Sequence, residues 1–317
     1  SLPDAVAFPA TAQETASIVR LAFDTGFPVI PRGAGSGFTG GSVPVNGGVV
    51  VSFERMKRII GIDEENLTAT VEPGVILWDL HQAVEAKGLF YPPDPTSLNF
   101  STIGGNIAEN AGGPRAVKYG VTRDYVLGLE VVLPTGELVS IGVRTAKGVV
   151  GYDLTRLIVG SEGTLGMVTK AVLRLLPLPQ AGKTVFAVFP RLKDAAAAVS
   201  QIIKARIIPS TLEIVDSTSI KCVEEYAGVG LPKAGSFLLI EVDGNIEGVE
   251  IDAGAIKKIC AENGASSVEE ASDKKAVRDL WKARRAISAS LFRIKPNKIN
   301  EDIVVPRSAI VEFVSGI

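Results

Sequence analysis

Histidine is nearly missing: the 317 residues hold one, His81. Any mechanism that needs a histidine cluster is excluded from them. Cysteine is scarce as well. Cys222 and Cys260 lie far apart in sequence and near no other soft ligands. They offer neither a zinc spacing nor a disulfide framework, and read as free thiols of a cytosolic protein. Charge of either sign is not in excess. Lys and Arg number 33 against 35 for Asp and Glu, a net of −2, so nothing electrostatic argues for a nucleic acid partner. No apolar run is long enough to cross a bilayer, and the expected location is the cytoplasm, free or at the periphery of a membrane. Aromatic residues are 6% of the total, which disfavours a pocket built for an aryl substrate. There is no internal repeat and no low-complexity segment.

What the chain does have is apolar residues and glycine. Hydrophobic residues make up 46% and charged ones 21%, the profile of a globular protein, and the length suits two domains. Thr11-x-x-Glu14 is a capping-box pattern that opens a helix, and Gly26 closes it. Strands are expected at 28–30, 48–52 and 67–72, and a helix over 75–87 that ends at Gly88. From Tyr91 to Gly113 the composition predicts loop, and so long an irregular stretch is usually functional. Two runs at 129–133 and 138–141 flank Pro134-Thr135-Gly136-Glu137 as a hairpin. A long strand follows over 167–176, and Pro177-Leu178-Pro179 marks a boundary, giving domains 1–179 and 180–317. Beyond it the order is β-α-β-β-α-β with a helix inserted near 216–226, a ferredoxin-like unit, followed by a charged helix over 273–293. The sequence stops just after Pro306 in what reads as a new helix, and a missing C-terminal piece is expected.

Three glycine-dense segments carry the chemistry. Gly35-Ser36-Gly37-Phe38-Thr39-Gly40 fits G-x-G-x-x-G, but a nicotinamide site needs that motif to open a helix after a strand. Here loop and then strand follow, so that reading is rejected. The segment can still cradle a phosphate, because glycines let several N–H groups converge on one anion, and Arg32 adds a positive charge. A tight turn is the plainer reading, yet three glycines at short spacing exceed what one turn needs. Thr102-Ile103-Gly104-Gly105-Asn106 and Ala111-Gly112-Gly113 would bring main chain against a flat, polar-edged ligand. Gly160-Ser161-Glu162-Gly163-Thr164-Leu165-Gly166 is the third. Together they suggest a large nucleotide that touches several segments.

With Pro93-Asp94-Pro95, these motifs occur in an order that resembles the FAD-linked 2-hydroxyacid dehydrogenases. That family comprises glycolate oxidase FAD subunits and D-lactate dehydrogenases, within the p-cresol methylhydroxylase / vanillyl-alcohol oxidase superfamily. The resemblance implies an α+β protein: a two-part FAD-binding domain of the PCMH type followed by a ferredoxin-like cap. It implies that Arg32, Gly33, Ala34, Gly35, Ser36 and Gly37 bind the FAD pyrophosphate. Pro93, Thr102, Gly105, Asn106 and Gly112 would line the flavin, and Glu162, Gly163, Gly166 and Val168 the adenosine half. Where some relatives carry a histidine bonded to the flavin, this chain has Ser36, so the FAD would be non-covalent. In the cap, Trp281-Lys282-Ala283-Arg284 resembles a segment whose arginine grips the substrate carboxylate. Arg284 is the candidate, with Lys298 a second, and an arginine fork suits a 2-hydroxy acid; the plainer reading of Arg284 is an exposed charge on its helix.

The family's His-x-Gly-Asp-Gly-Asn motif, which holds a metal or supplies the base, does not occur in these residues. His81 reads as an ordinary helix residue, remote in sequence from the glycine loops. The expected activity is oxidation of a D-2-hydroxy acid, glycolate or D-lactate, by hydride transfer to flavin, with electrons passed to an iron–sulfur subunit, an electron-transfer flavoprotein or a quinone. Two alternatives stay open at this point: a short flavin-binding subunit with an assembly or electron-relay role, and a superfamily oxidase acting on an aryl alcohol.

Overall fold

The first helix begins where its cap is written. In the computed structural model, Thr11 Oγ1 accepts from Glu14 N at 3.1 Å, and the Glu14 carboxylate reaches back to Ala10 N at 2.7 Å. Gly26, at φ +83°, ends the helix in the left-handed region. The structure describes residues 2–145, 147–228, 230–271, 274–292, 295, 297, 299 and 302–316, without the side chains of 274 and 276. The chain divides into two compact units, residues 1–113 with 119–178, and residues 114–118 with 179–317.

The first part of the chain runs β1 (Ala5–Ala7), α1 (Ala12–Thr25), β2 (Val29–Arg32), β3 (Val49–Ser52), β4 (Ile59–Asp63) and β5 (Thr68–Val71). Then come α2 (Leu77–Glu85), β6 (Leu89–Phe90), α3 (Ile103–Glu109), α4 (Ala116–Tyr119), β7 (Val126–Val132) and β8 (Leu138–Gly142). It closes with α5 (Leu154–Ile158), β9 (Met167–Arg174) and β10 (Leu176–Pro177). Two main sheets result, which is the two-part character expected. One is parallel, β1-β3-β2; the other is antiparallel, β4-β5-β9-β7-β8. The β7–β8 hairpin closes where the Pro-Thr-Gly-Glu turn predicts. The main apolar core joins Val71, Leu77, Leu80, Ile103, Ile107, Val131 and Leu173, all fully buried.

Two expectations need correction. The stretch 91–113 is not loop throughout, because it contains α3. Thr102 caps that helix by accepting from Gly105 N at 3.2 Å, and Ile103 and Ile107, one turn apart, fix it to the core. Tertiary burial outweighs the helix penalty of two glycines. Strands β1 and β4 have no counterpart in the expected elements. β1 is three residues long and gains its order from pairing with β3.

The second unit contains β11 (Ala181–Phe189), α6 (Leu192–Lys204), β12 (Thr211–Asp216), α7 (Ser217–Ala227), β13 (Ser236–Gly244) and α8 (Ile246–Glu262). It continues with β14 (Ser267–Glu270), α9 (Lys274–Leu291) and α10 (Ile310–Gly316). The sheet order is β12-β13-β11-β14, antiparallel throughout, the ferredoxin-like arrangement with α7 inserted. β11 is an almost unbroken apolar run because both faces are covered. Val185, Ala187 and Phe189 meet α6 and α8, while Phe186 and Val188 share a cluster with Ile220, Leu280 and Trp281 of α7 and α9. The predicted charged helix is α9; residues 273 and 293, its expected ends, lie outside the described residues.

Candidate functional site

The three glycine segments, up to about 130 residues apart in sequence, meet around α3. β2 ends at Arg32, whose carbonyl accepts from Phe53 N at 3.3 Å and so fixes the root of the first loop. A Cβ on Gly33 would sit 2.3 Å from Thr102 Oγ1 and 3.5 Å from Gly105 N. A Cβ on Gly37 would sit 2.6 Å from the Glu109 carboxylate. Gly35 has φ +68°, which a side chain seldom tolerates, and lies 2.7 Å by the same measure from the guanidinium of Arg32. The guanidinium therefore folds back over its own loop. Ala34 and Ser36 are half-buried between these contacts.

The third segment approaches α3 by its main chain. Gly160 N donates to Ile107 O and Glu162 N to Ala108 O, both at 2.9 Å. Gly163 leaves no room for a side chain, its Cβ position being 2.4 Å from Pro31 Cγ of β2. Glu162 holds φ +54°, a conformation rare for a residue with a side chain and concentrated at functional positions. Gly166 packs on β7, and Val168 turns its side chain to the core. The second segment folds on the proline run: Ala111 N donates to Asn106 O at 2.9 Å, and Gly113 lies flat against Asp94, Gly112 half-buried beside it.

This arrangement fits a nucleotide cofactor with a flat ring system. The glycines let the main chains of the three segments approach α3 where a Cβ would collide with it or its neighbours. Asn106 is buried, and its Nδ2 has no hydrogen-bond partner among the described residues. A buried donor left unpaired costs free energy and is usually satisfied by something else. Glu109 bears on the electrostatics. Burial, and then the neighbouring Glu162 carboxylate, push its pKa above the ordinary range, against a weak pull from Thr39, whose Oγ1 is 3.3 Å away.

His81 lies on a helix, as expected. It is buried on α2 together with Leu77, Leu80 and Val84, and its Nε2 is 3.0 Å from the carbonyl of Pro93. Helical spacing from Leu77 and Leu80 was the signal for that buried face. Glu109 was unforeseen, since it lay in a stretch read as loop.

In the second unit, Arg284 Nε donates to Glu213 Oε2 at 2.5 Å, across from α9 to β12. The side chain is 29% exposed, so it is not a free surface charge. Beside it Trp281 Nε1 donates to Glu241 Oε1 at 2.6 Å, and Thr184 Oγ1 donates to the same oxygen at 3.1 Å. Lys298 lies outside the described residues. Among the described residues there is no group of three or more His, Cys, Asp and Glu that could hold a metal, and no helix long and apolar enough to cross a membrane.

Comparison with known proteins agrees with this geometry. Residues 3–142 match the family described as an FAD binding domain, and residues 178–317 the C-terminal domain of FAD linked oxidases. A glycolate oxidase subunit, GlcD, of Bacillus subtilis (strain 168) is 51% identical over 318 residues, covering 100% of this chain and 68% of its own length. The chain belongs to the FAD-linked oxidase family. Its cofactor is FAD. A D-lactate dehydrogenase of Anaerostipes hadrus is 37% identical over 99% of this chain and 67% of its own length. Among solved structures, an alkyldihydroxyacetonephosphate synthase superposes with TM-score 0.74 at 26% identity, over 91% of this chain and 58% of that one. A 4-ethylphenol oxidase from Gulosibacter chungangensis gives TM-score 0.75 at 22% identity, over 92% and 64%. At that identity the likeness is one of fold. The chain thus spans about two thirds of these curated relatives and less of the solved chains.

Proposed function

We propose that this FAD-linked oxidase oxidises a small D-2-hydroxy acid, glycolate or D-lactate, and passes the electrons to a partner protein or a quinone. The observation that carries the reading is the meeting of three glycine segments on α3, in a chain 51% identical throughout to a protein named as a glycolate oxidase subunit. The flavin, when bound, supplies the hydride acceptor. The first loop, Arg32 to Gly37, holds the pyrophosphate on backbone N–H groups, with the Arg32 guanidinium as counter-charge. Asn106 Nδ2 and the main chain around Pro93, Thr102, Gly105 and Gly112 serve the polar edge of the ring. Glu162, Gly163, Gly166 and Val168 serve the adenosine half.

In the cap, Arg284 is the group proposed for the substrate carboxylate. Glu213 occupies Nε, so a bidentate pair would use the two terminal nitrogens, held in place by that ion pair. The hydroxyl proton must leave as hydride departs. The one histidine of these residues, His81, engages the Pro93 carbonyl through Nε2.

The test is anaerobic mixing of the flavin-loaded protein with glycolate, with D-lactate, with L-lactate and with an aryl alcohol. Loss of the visible flavin absorbance with glycolate or D-lactate, and not with L-lactate, is the expected result. Bleaching by the aryl alcohol alone would overturn the hydroxy-acid reading.

A further inference from the structure

The single histidine occupies a place that neither the family match nor the glycine motifs explain. His81 is 4% exposed, in the middle of α2, and its Nε2 lies 3.0 Å from Pro93 O. A proline carbonyl can only accept, so Nε2 must carry a proton and donate. The ring also meets Tyr91 edge-on at 6.0 Å between centroids, and Tyr91 meets Tyr125 in the same way at 5.9 Å. Two residues past Tyr91 the chain reaches Pro93, and Asp94 is then pressed against Gly113. The same helix ties down the neighbouring segment from its first turn: Leu77 N donates to Ser101 O and Trp78 N to Leu98 O, both at 3.0 Å. α2 is thus the common backing of 91–95 and 98–102.

We propose that His81 is a positioning residue for the flavin: its Nε2–H fixes the Pro93 carbonyl, and through it the proline run that lies along the ring. This rests on the reading that Pro93 lines the flavin. A proline run has no spare N–H groups with which to anchor itself, since each proline lacks the donor. Its carbonyls must find donors elsewhere, and a buried carbonyl without one is unfavourable. An imidazole is well suited, because it is rigid, bulky enough to fill the space against Tyr91, and carries its donor at the far edge.

The experiment compares His81→Gln, His81→Asn and His81→Leu in the intact protein by FAD dissociation constant, visible flavin spectrum and melting temperature of the FAD-free form. A glutamine amide places a donor near the Nε2 position; an asparagine amide falls short of it; leucine has none. If the bond positions the run, Gln binds FAD within about twofold of wild type, whereas Asn and Leu bind it about tenfold more weakly, with a shifted or blurred flavin band. A purely structural role would lower the FAD-free melting temperature in all three and leave the spectrum of the bound flavin unchanged; that result overturns the proposal. Asn binding FAD like wild type also overturns it, even if Leu fails to fold. Pro93→Ala separates the two ideas. A flavin spectrum unchanged in Pro93→Ala defeats the reading that Pro93 lines the flavin, and the proposal falls with it. A changed spectrum there with none in His81→Asn defeats the positioning role alone.

Discussion

Glycine does different work in the two units. In the first, side chains are excluded by close approach: the Cβ positions of Gly33, Gly113 and Gly163 lie 2.3 to 2.4 Å from atoms of other segments. In the second, Gly228, Gly230, Gly244, Gly254 and Gly264 would meet nothing within 4 Å, while Gly235, 2.0 Å from Pro190 O, and Gly248, 2.9 Å from Asn245 Oδ1, are confined. The first unit uses these glycines to bring the main chain of separate segments together, and that is the backbone proposed to hold the cofactor. The second has its proposed substrate group on a side chain, Arg284, which is held by Glu213 beside the Trp281–Glu241 hydrogen bond. A glycine signature is therefore a good guide to one half of this protein and a poor guide to the other.

The sharpest way to break that contrast is to make like changes in both halves. Gly33→Val and Gly113→Val should each reduce FAD affinity by more than about a hundredfold, roughly 3 kcal/mol at 1.4 kcal/mol per tenfold. At Gly33 the new side chain displaces Thr102 Oγ1 from its cap on Gly105 N. Gly254→Ala, inside α8 with open space around it, should instead stabilise the protein by about 0.5–1 kcal/mol, because alanine loses less backbone entropy in a helix. Flavin titration and thermal melts of the three variants decide the matter. Equal flavin affinity in the two valine variants and wild type would remove the cradle.

How much of this was legible follows the same division. Gly33, Gly37 and Gly163 were readable as special because nothing but close approach explains glycines at such density. What could not be read was their common partner. α3 hides behind Gly104 and Gly105, which lower helix propensity, and it forms because Ile103 and Ile107 bury completely and Pro73 leaves Gly104 no space. His81 was legible as a helix residue, but its hydrogen bond to Pro93 depends on a fold-back of twelve residues that no spacing encodes. In the cap, the strand and helix order was plain from periodicity, including the inserted α7 with Asp216 as its cap. The pairing of Arg284 with Glu213 joins residues 71 apart and was not.

The cap offers a smaller test. Arg284→Leu should weaken binding of the hydroxy acid by about tenfold or more while flavin content stays at the wild-type level. Glu213→Gln should weaken it by only a few-fold, since the guanidinium remains and loses only its Nε anchor. With both side chains partly exposed, the pair itself contributes about 1 kcal/mol or less to stability. Substrate protection of the flavin band in the two variants, measured beside wild type, reads the difference. A larger loss in Glu213→Gln than in Arg284→Leu would mean that the arginine is not the group that meets the acid.

The smallest effect is expected where the backbone site meets a charge. Glu109 stands against Gly37 in the loop proposed for the pyrophosphate, with Glu162 as a second carboxylate near it. Its folded pKa is raised, by burial first and by Glu162 second. A carboxyl raised in the folded state favours the native protein when it is protonated, so its contribution is fully present below the ordinary glutamate range and is lost as pH rises through the raised value. Above that range Glu109 carries a charge that opposes both folding and a bound pyrophosphate. Glu109→Gln keeps the shape and removes the charge. It should therefore leave FAD affinity unchanged at low pH and raise it a few-fold at neutral pH, with a melting temperature that falls less than that of wild type between the two. The gain should shrink in salt, because the side chain is partly exposed and screened. FAD titrations at two pH values and two salt concentrations measure this, and an affinity that drops at neutral pH would mean that the ionised Glu109 is a ligand of the cofactor rather than an opposing charge.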